Sequence, residues 1–247
     1  MSDKHWQSKL LGELPWVTHA TSTRAWGSLR YPGSDEAEDK TLSDREEFIR
    51  STGIDPATSI YLDNVHGAKV ACVGTNLASN RMNGCDAAFS IIKGRHLVTK
   101  TADCLPIFIV DRRLYYVGLV HAGWQGVSHG IVKNLIEALK QERSYPHDLI
   151  VAIGPSIGAC HYTVDHDRKQ EMLQRSGGLS SSDFVRRKDD RHAVDLREVV
   201  VRQFMAQGVP QKQIENAAPC TACDHDNYFS YHLTQESDCM LSVIGIK

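Results

Sequence analysis

Apolar residues along this chain fall into runs of two kinds. Short continuous runs bounded by glycine or polar turns read as strands buried on both faces. The clearest pair lies at 105–110 and 115–120, L-P-I-F-I-V and Y-Y-V-G-L-V, around the turn Asp111-Arg112-Arg113. That pattern predicts a β-hairpin. Further strands are expected at Ser59–Leu62, 69–73, 97–101, Leu149–Ile153, 228–231 and Met240–Ile246, with a short one inside 14–32 ahead of a loop. The second kind of run has helical spacing. Val127, Ile131, Leu135 and Leu139, supported by Val132 and Ile136, predict a helix that begins directly behind Gly126. Asp195 reads as the N-cap of a helix to about Gln207, stopped by Gly208 and Pro210. Ser43-Asp44-Arg45-Glu46 reads as a capping box opening a helix that ends at Gly53. A polar helix is expected around 166–175, and polar surface segments at 33–42 and 176–192. No internal repeat or linker divides the chain, so the expectation is a single domain over 1–247 of class α+β.

Composition narrows the function classes. A net charge of −2 provides no electrostatic footprint for nucleic acid or an anionic membrane, so neither is an expected partner. The N-terminal residues Met1-Ser2-Asp3-Lys4-His5-Trp6 lack the pattern of a signal peptide, and no apolar run is long enough to span a bilayer. A cytoplasmic location is therefore expected. Seven cysteines, an odd number without an export signal, favour reduced thiols over a disulfide framework.

The hairpin sets the candidate chemistry. Cys104 immediately precedes its first strand and His121 follows its second, so antiparallel pairing brings thiol and imidazole to one edge of a sheet. Upstream, His66 stands in Asn64-Val65-His66-Gly67, near another strand end. Two imidazoles and one thiolate are the ligands of a zinc site with one position open, the catalytic rather than the structural pattern. The intervals of 37 and 16 residues rule out a compact finger. Cys104 and His121 also suit a nucleophile and its base, so the same residues serve two readings. Asp103 is a candidate orienting carboxylate or proton acceptor, and Trp124 a candidate stacking surface for a planar ring. Pro219-Cys220-Thr221-Ala222-Cys223 matches half of the zinc nucleobase deaminase signature, but no histidine here has glutamate two places on, so the pair reads as a turn. Gly154-Pro155-Ser156-Ile157-Gly158 lacks the lysine of a phosphate loop and reads as a tight turn.

Taken in order, V-H-G at 65–67, T-A-D-C-L-P at 101–106, H-A-G-W at 121–124, G-P-S-I-G at 154–158, C-T at 220–221 and F-S-Y at 229–231 resemble the YfiH-like family. That family is often labelled laccase-domain or multicopper polyphenol oxidase. The resemblance implies a single-domain α/β sandwich with mixed sheets, and zinc held by His66, Cys104 and His121. It also implies purine nucleoside chemistry: phosphorolysis of adenosine, inosine, guanosine or methylthioadenosine, and deamination of adenosine. An open zinc site offers deamination a route through activated water, with Asp103 as a proton shuttle. Phosphorolysis needs a cation for phosphate, and Arg24 in Ser22-Thr23-Arg24 is the family-like candidate, with Trp124 and Gln125 beside the pocket. Thiolate plus imidazole suits copper(I) as well as zinc. Laccase activity is not expected, because multicopper oxidases rely on H-x-H motifs and this chain has none. The resemblance also implies an alternative, a zinc or Cys-His amidase editing peptidoglycan precursors. A third reading is a zinc-stabilised protein that acts by binding without catalysis, for which the replacement of family arginines speaks. Where the family has arginines after G-W and after F-S-Y, this chain has Gln125, His232 and Leu233.

Overall fold

The computed structural model describes residues 4–30, 37–74, 79–174, 179–186 and 190–247. Two six-stranded mixed sheets face each other. The first has the order His5–Trp6, Val17–Ser22, Met240–Ile246, His96–Thr101, Ser59–Leu62, Arg81–Met82. The second has the order Ile214–Glu215, Leu149–Ile153, Leu105–Asp111, Tyr116–Ala122, Ala87–Ser90, Val70–Val73. Both sheets are covered on their outer faces too, so strand side chains alternate between two cores. Phe108 and Val110 meet Leu97 and Ile244 between the sheets. Ile107 and Ile109 point the other way, towards Leu135, Ile136 and Val200 of the helices Ile131–Gln141 and Leu196–Ala206. On the far side, Phe48 and Ile49 of the helix Ala37–Ser51 cover Val98 and Val243. The result is an α/β/β/α sandwich. The apolar runs are continuous rather than alternating because both faces of each central strand are buried.

The hairpin forms at Leu105–Asp111 and Tyr116–Ala122, pairing Leu105 with Ala122 and Pro106 with His121. Several other expectations change. The helix expected from Gly126 onward is two helices, Trp124–Ser128 and Ile131–Gln141. Gly130 between them takes φ +76°, a left-handed conformation that costs glycine little and turns the chain. Ser43 is not an N-cap. The helix starts at Ala37, and Lys40–Asp44 and Arg50–Glu46 ion pairs line its exposed side at i,i+4 spacing. Hence 37–42 of the expected surface loop are helical, while 33–36 lie outside the described residues. Residues 228–231 form no strand, and Tyr231 opens a short helix, Tyr231–Thr234. The segment 176–192 is more than a surface excursion. Phe184–Arg186 and His192–Val194 pair antiparallel and, with Thr163–Val164, make a third sheet. Among the described residues, no helix is long and apolar enough to cross a membrane.

Candidate active site

His66, Cys104 and His121 meet at one edge of the sandwich. Their ligand atoms all lie within 4.8 Å of one another, and the two imidazoles stand nearly perpendicular with centroids 4.8 Å apart. Three separate backbone devices bring them there. Hairpin pairing places His121 two residues' breadth from Cys104. Left-handed φ values of +56° at Asn64 and +60° at His66 turn the loop back over the sheet end. Asn64 is held by Thr99 Oγ1, 3.0 Å from its Oδ1, and by its own amide donating to the Lys100 carbonyl at 2.6 Å. Asp103, at φ +82°, makes the third such turn just ahead of Cys104. Left-handed backbone at non-glycine residues costs free energy and concentrates at functional sites. Gly126 completes the packing. A Cβ there would stand 2.8 Å from the Gly67 carbonyl oxygen, so only glycine lets the helix Trp124–Ser128 press against the His66 loop.

The buried carboxylate of Asp86 anchors the cluster from behind. Its Oδ1 accepts from the His66 amide at 2.8 Å and pairs with His121 Nδ1 at 2.8 Å, while Oδ2 accepts from the Gly67 amide at 2.7 Å. Burial would raise the Asp86 carboxyl, but His121 and these amides outweigh it and hold it below the usual range. With Nδ1 committed to Asp86, His121 presents Nε2 to the cluster centre. Burial likewise raises the Cys104 thiol, yet His121 and His66 prevail and draw it down to about 6. The reverse holds for His121: burial lowers it, and Cys104 with Asp86 lifts it to about 9. Both shifts run in the direction of a thiolate beside an imidazolium. A soft or borderline cation fits this donor set, because it takes the thiolate directly and displaces the His121 proton.

His66 and Cys104 line a cavity of about 400 Å³, whose walls include Trp124, Tyr162, Arg168, Arg191 and His232. Arg168 lies over the Trp124 ring at 4.8 Å. Burial keeps the Tyr162 phenol above its ordinary range, hence protonated and able to donate. On its other side, a smaller cavity of about 210 Å³ is lined by all three, His66, Cys104 and His121, together with Arg30 and Lys100. A cavity of similar size to the main one, about 410 Å³ beside Arg45 and Tyr61, has neither thiol nor imidazole in its lining.

The structure places the other predicted site residues as follows. Asp103 lines the main cavity, and both its oxygens are engaged, Oδ1 by the Thr221 hydroxyl and Oδ2 by the His232 amide, each at 2.6 Å. Trp124 lines the cavity too, while Arg24 and Gln125 are not among its lining residues. The Arg24 guanidinium lies over the Phe229 ring at 4.5 Å. Sequence reasoning missed Asp86, Tyr162, Arg168 and Arg191. Asp86 lies in a turn, Arg168 on the expected polar helix and Arg191 in an expected polar surface segment, and none of these local readings points to the site.

The family profile described as multi-copper polyphenol oxidoreductase laccase matches residues 18–247. The chain belongs to that family. Among its members, purine nucleoside phosphorylase YlmD of Geobacillus stearothermophilus is 33% identical over 196 residues, covering 75% of this chain and 71% of its own length. A purine nucleoside phosphorylase of Staphylococcus aureus strain COL is 29% identical over 246 residues, covering 93% and 91%. The crystal structure of the Geobacillus YlmD superposes with TM-score 0.86 at 26% identity, covering 100% of this chain and 97% of its own. YfiH of Bacillus licheniformis gives 0.84 at 26% identity, covering 94% of each chain. The α+β sandwich with mixed sheets expected from the sequence is the fold of these laccase-family structures.

Proposed function

We propose that this chain is a zinc-dependent purine nucleoside enzyme, cleaving nucleosides with phosphate and deaminating adenosine. The observation that carries the reading is the imidazole–thiolate–imidazole cluster, two of whose members, His66 and Cys104, line a cavity walled by an aromatic plane and two arginines. Relatives named purine nucleoside phosphorylase support the substrate class. When bound by His66, Cys104 and His121, zinc supplies Lewis acidity at its open position and lowers the pKa of water towards about 7. The chain's own groups do the rest. Trp124 offers the purine a stacking face, and the Tyr162 hydroxyl is a donor for a ring nitrogen or ribose oxygen. Arg168 and Arg191 supply the positive charge that phosphate needs. Asp103 orients the floor through Thr221 and the His232 amide, and it is the carboxylate nearest Cys104 in sequence for proton movement.

The Cys104–His121 pair also has the electrostatics of a thiol nucleophile. The metal reading is preferred because a second imidazole, His66, faces the same sulfur, which a nucleophile–base pair does not need. The deciding experiment assays adenosine, inosine, guanosine and methylthioadenosine on untagged enzyme, with and without phosphate, before and after chelation. Turnover that is lost on chelation, restored by zinc and absent from Cys104→Ser and His121→Ala supports the proposal. Hydrolysis that survives chelation and ends on alkylation of Cys104 would transfer the assignment to a thiol hydrolase.

A further inference from the structure

A second group of metal-ligating side chains lies outside this site. Cys160, His161, Cys220 and Cys223 come from two loops, one leaving the strand Leu149–Ile153 and one spanning 219–224, and their ligand atoms all lie within 4.8 Å of one another. Cys160 and Cys223 sulfurs are 3.4 Å apart, and His161 Nδ1 is 3.4 Å from the Cys223 sulfur and 3.8 Å from that of Cys220. A tetrahedral zinc with Zn–S near 2.3 Å and Zn–N near 2.0 Å spaces its ligand atoms by about 3.5–3.8 Å. The three separations just given lie close to that spacing, and no pair of the four atoms is more than 4.8 Å apart. The Gly158 amide donates to the Cys220 sulfur at 3.2 Å, the kind of contact that steadies a thiolate.

The scaffold around the cluster is rigidly built. Ser156 and Cys220 form a parallel bridge between the two loops. The buried Arg197 clamps both, donating to the Ala218 carbonyl at 2.7 Å, the Pro219 carbonyl at 2.6 Å, and the Ser156 hydroxyl and carbonyl. Four protein ligands with three sulfurs form a closed set, the structural type, in contrast to the open triad. Both loops then reach the first site. Thr221 donates to Asp103 Oδ1, and the Ile157 amide donates to the Asp103 carbonyl at 3.0 Å.

We propose that Cys160, His161, Cys220 and Cys223 hold a second, structural zinc ion that pins these two loops together and so fixes the cavity wall beside Cys104. The proposal is independent of the nucleoside reading. Its test is metal analysis of untagged wild type beside Cys160→Ser, Cys223→Ser and Cys104→Ser. The expected result is about two zinc ions per wild-type chain and about one in each variant. Cys223→Ser should also melt roughly 5–10 °C below wild type in excess zinc, while Cys104 remains able to bind its own ion. In the Cys104→Ser background, cobalt substitution should still give an intense thiolate charge-transfer band, since only the second cluster retains sulfur. That measurement stands even if a cysteine variant of the cluster fails to fold. Wild-type zinc content unchanged in Cys160→Ser and Cys223→Ser would overturn the proposal. So would a Cys160–Cys223 disulfide in protein purified under reducing, anaerobic conditions, or absence of the cobalt band.

Discussion

Asp86 serves three donors with two oxygens, and this arithmetic makes it the most informative single residue near the triad. Asn cannot replace it: an amide keeps one acceptor and turns a donor towards either the His121 ring or the Gly67 amide, which already donates. Asp86→Asn should therefore weaken zinc binding at the triad by about 10–100-fold, the usual loss when the carboxylate behind a ligand histidine is removed. Competition with a chromophoric chelator measures this directly, and an unchanged affinity would show that His121 is positioned by the backbone alone. The sequence hides this residue for a physical reason. Within Asn83-Gly84-Cys85-Asp86 the carboxylate looks like part of a turn, and its partnership with His121 exists only because the His121 amide donates to the Asp86 carbonyl at 2.7 Å across the sheet. Cys104 and His121 were legible because strand ends and antiparallel pairing are local inferences. The wall residues Tyr162, Arg168 and Arg191 were not, because their approach depends on how the third sheet folds over the second.

Elements with a strong apolar signal were legible for the same reason that they are stable. The hairpin and the strands Leu149–Ile153 and Met240–Ile246 are buried on both faces, so their sequences carry no ambiguity of period. The helix Ala37–Ser51 was misplaced because its first turns are polar and its support comes from Phe48 and Ile49 near the other end. The third sheet was missed because its strands are two or three residues long and lie in polar sequence. The strand Val17–Ser22 carries an element-scale consequence of double burial. His19 in this strand faces the inter-sheet core beside Phe108, and its Nε2 accepts the Ser8 amide at 2.9 Å, so the folded state holds it neutral. Burial, the dominant cause, lowers it from 6.5 to about 4. Between those values the unfolded chain takes a proton that the folded chain refuses. Stability from this site is thus complete above pH 6.5 and is lost as pH falls towards 4, by about 3 kcal/mol in all. His19→Gln keeps an acceptor without the titration. The stability gap between wild type and variant should narrow by about that amount from pH 7 to pH 4 in urea unfolding, and parallel pH curves would refute the assignment.

The whole molecule assigns its surfaces unequally. Helices cover the outer faces of both sheets, the sheets cover each other, and the strand ends near Cys104 are left for the third sheet and the 219–234 region to roof. Chemistry therefore gathers at one end, where residues from many segments converge. Positive charge arrives there by a route that motif comparison does not reveal. The arginines expected after G-W and F-S-Y are replaced by Gln125, His232 and Leu233, yet Arg168 from the helix His166–Gln174 and Arg191 beside the third sheet both reach the cavity. Arg168 is the better probe of the two, because Arg191 spends its Nε and Nη2 on Thr163 and its loss would also loosen a strand. Phosphorolysis and deamination differ in one reactant, phosphate against water, and this difference makes the role of Arg168 separable. A charge-assisted contact to phosphate contributes about 1.5–3 kcal/mol, so Arg168→Ala should raise the phosphate KM of nucleoside cleavage by about 10–100-fold. Adenosine deamination in phosphate-free buffer should change by less than about threefold, since zinc and the Trp124 face remain, and Arg168→Lys should recover part of the phosphate affinity by restoring charge without the planar fork. Equal losses in both reactions would instead mean that Arg168 acts by holding Trp124, the ring it covers, and would leave Arg191, or Arg30 and Lys100 of the smaller cavity at the triad, to receive the phosphate.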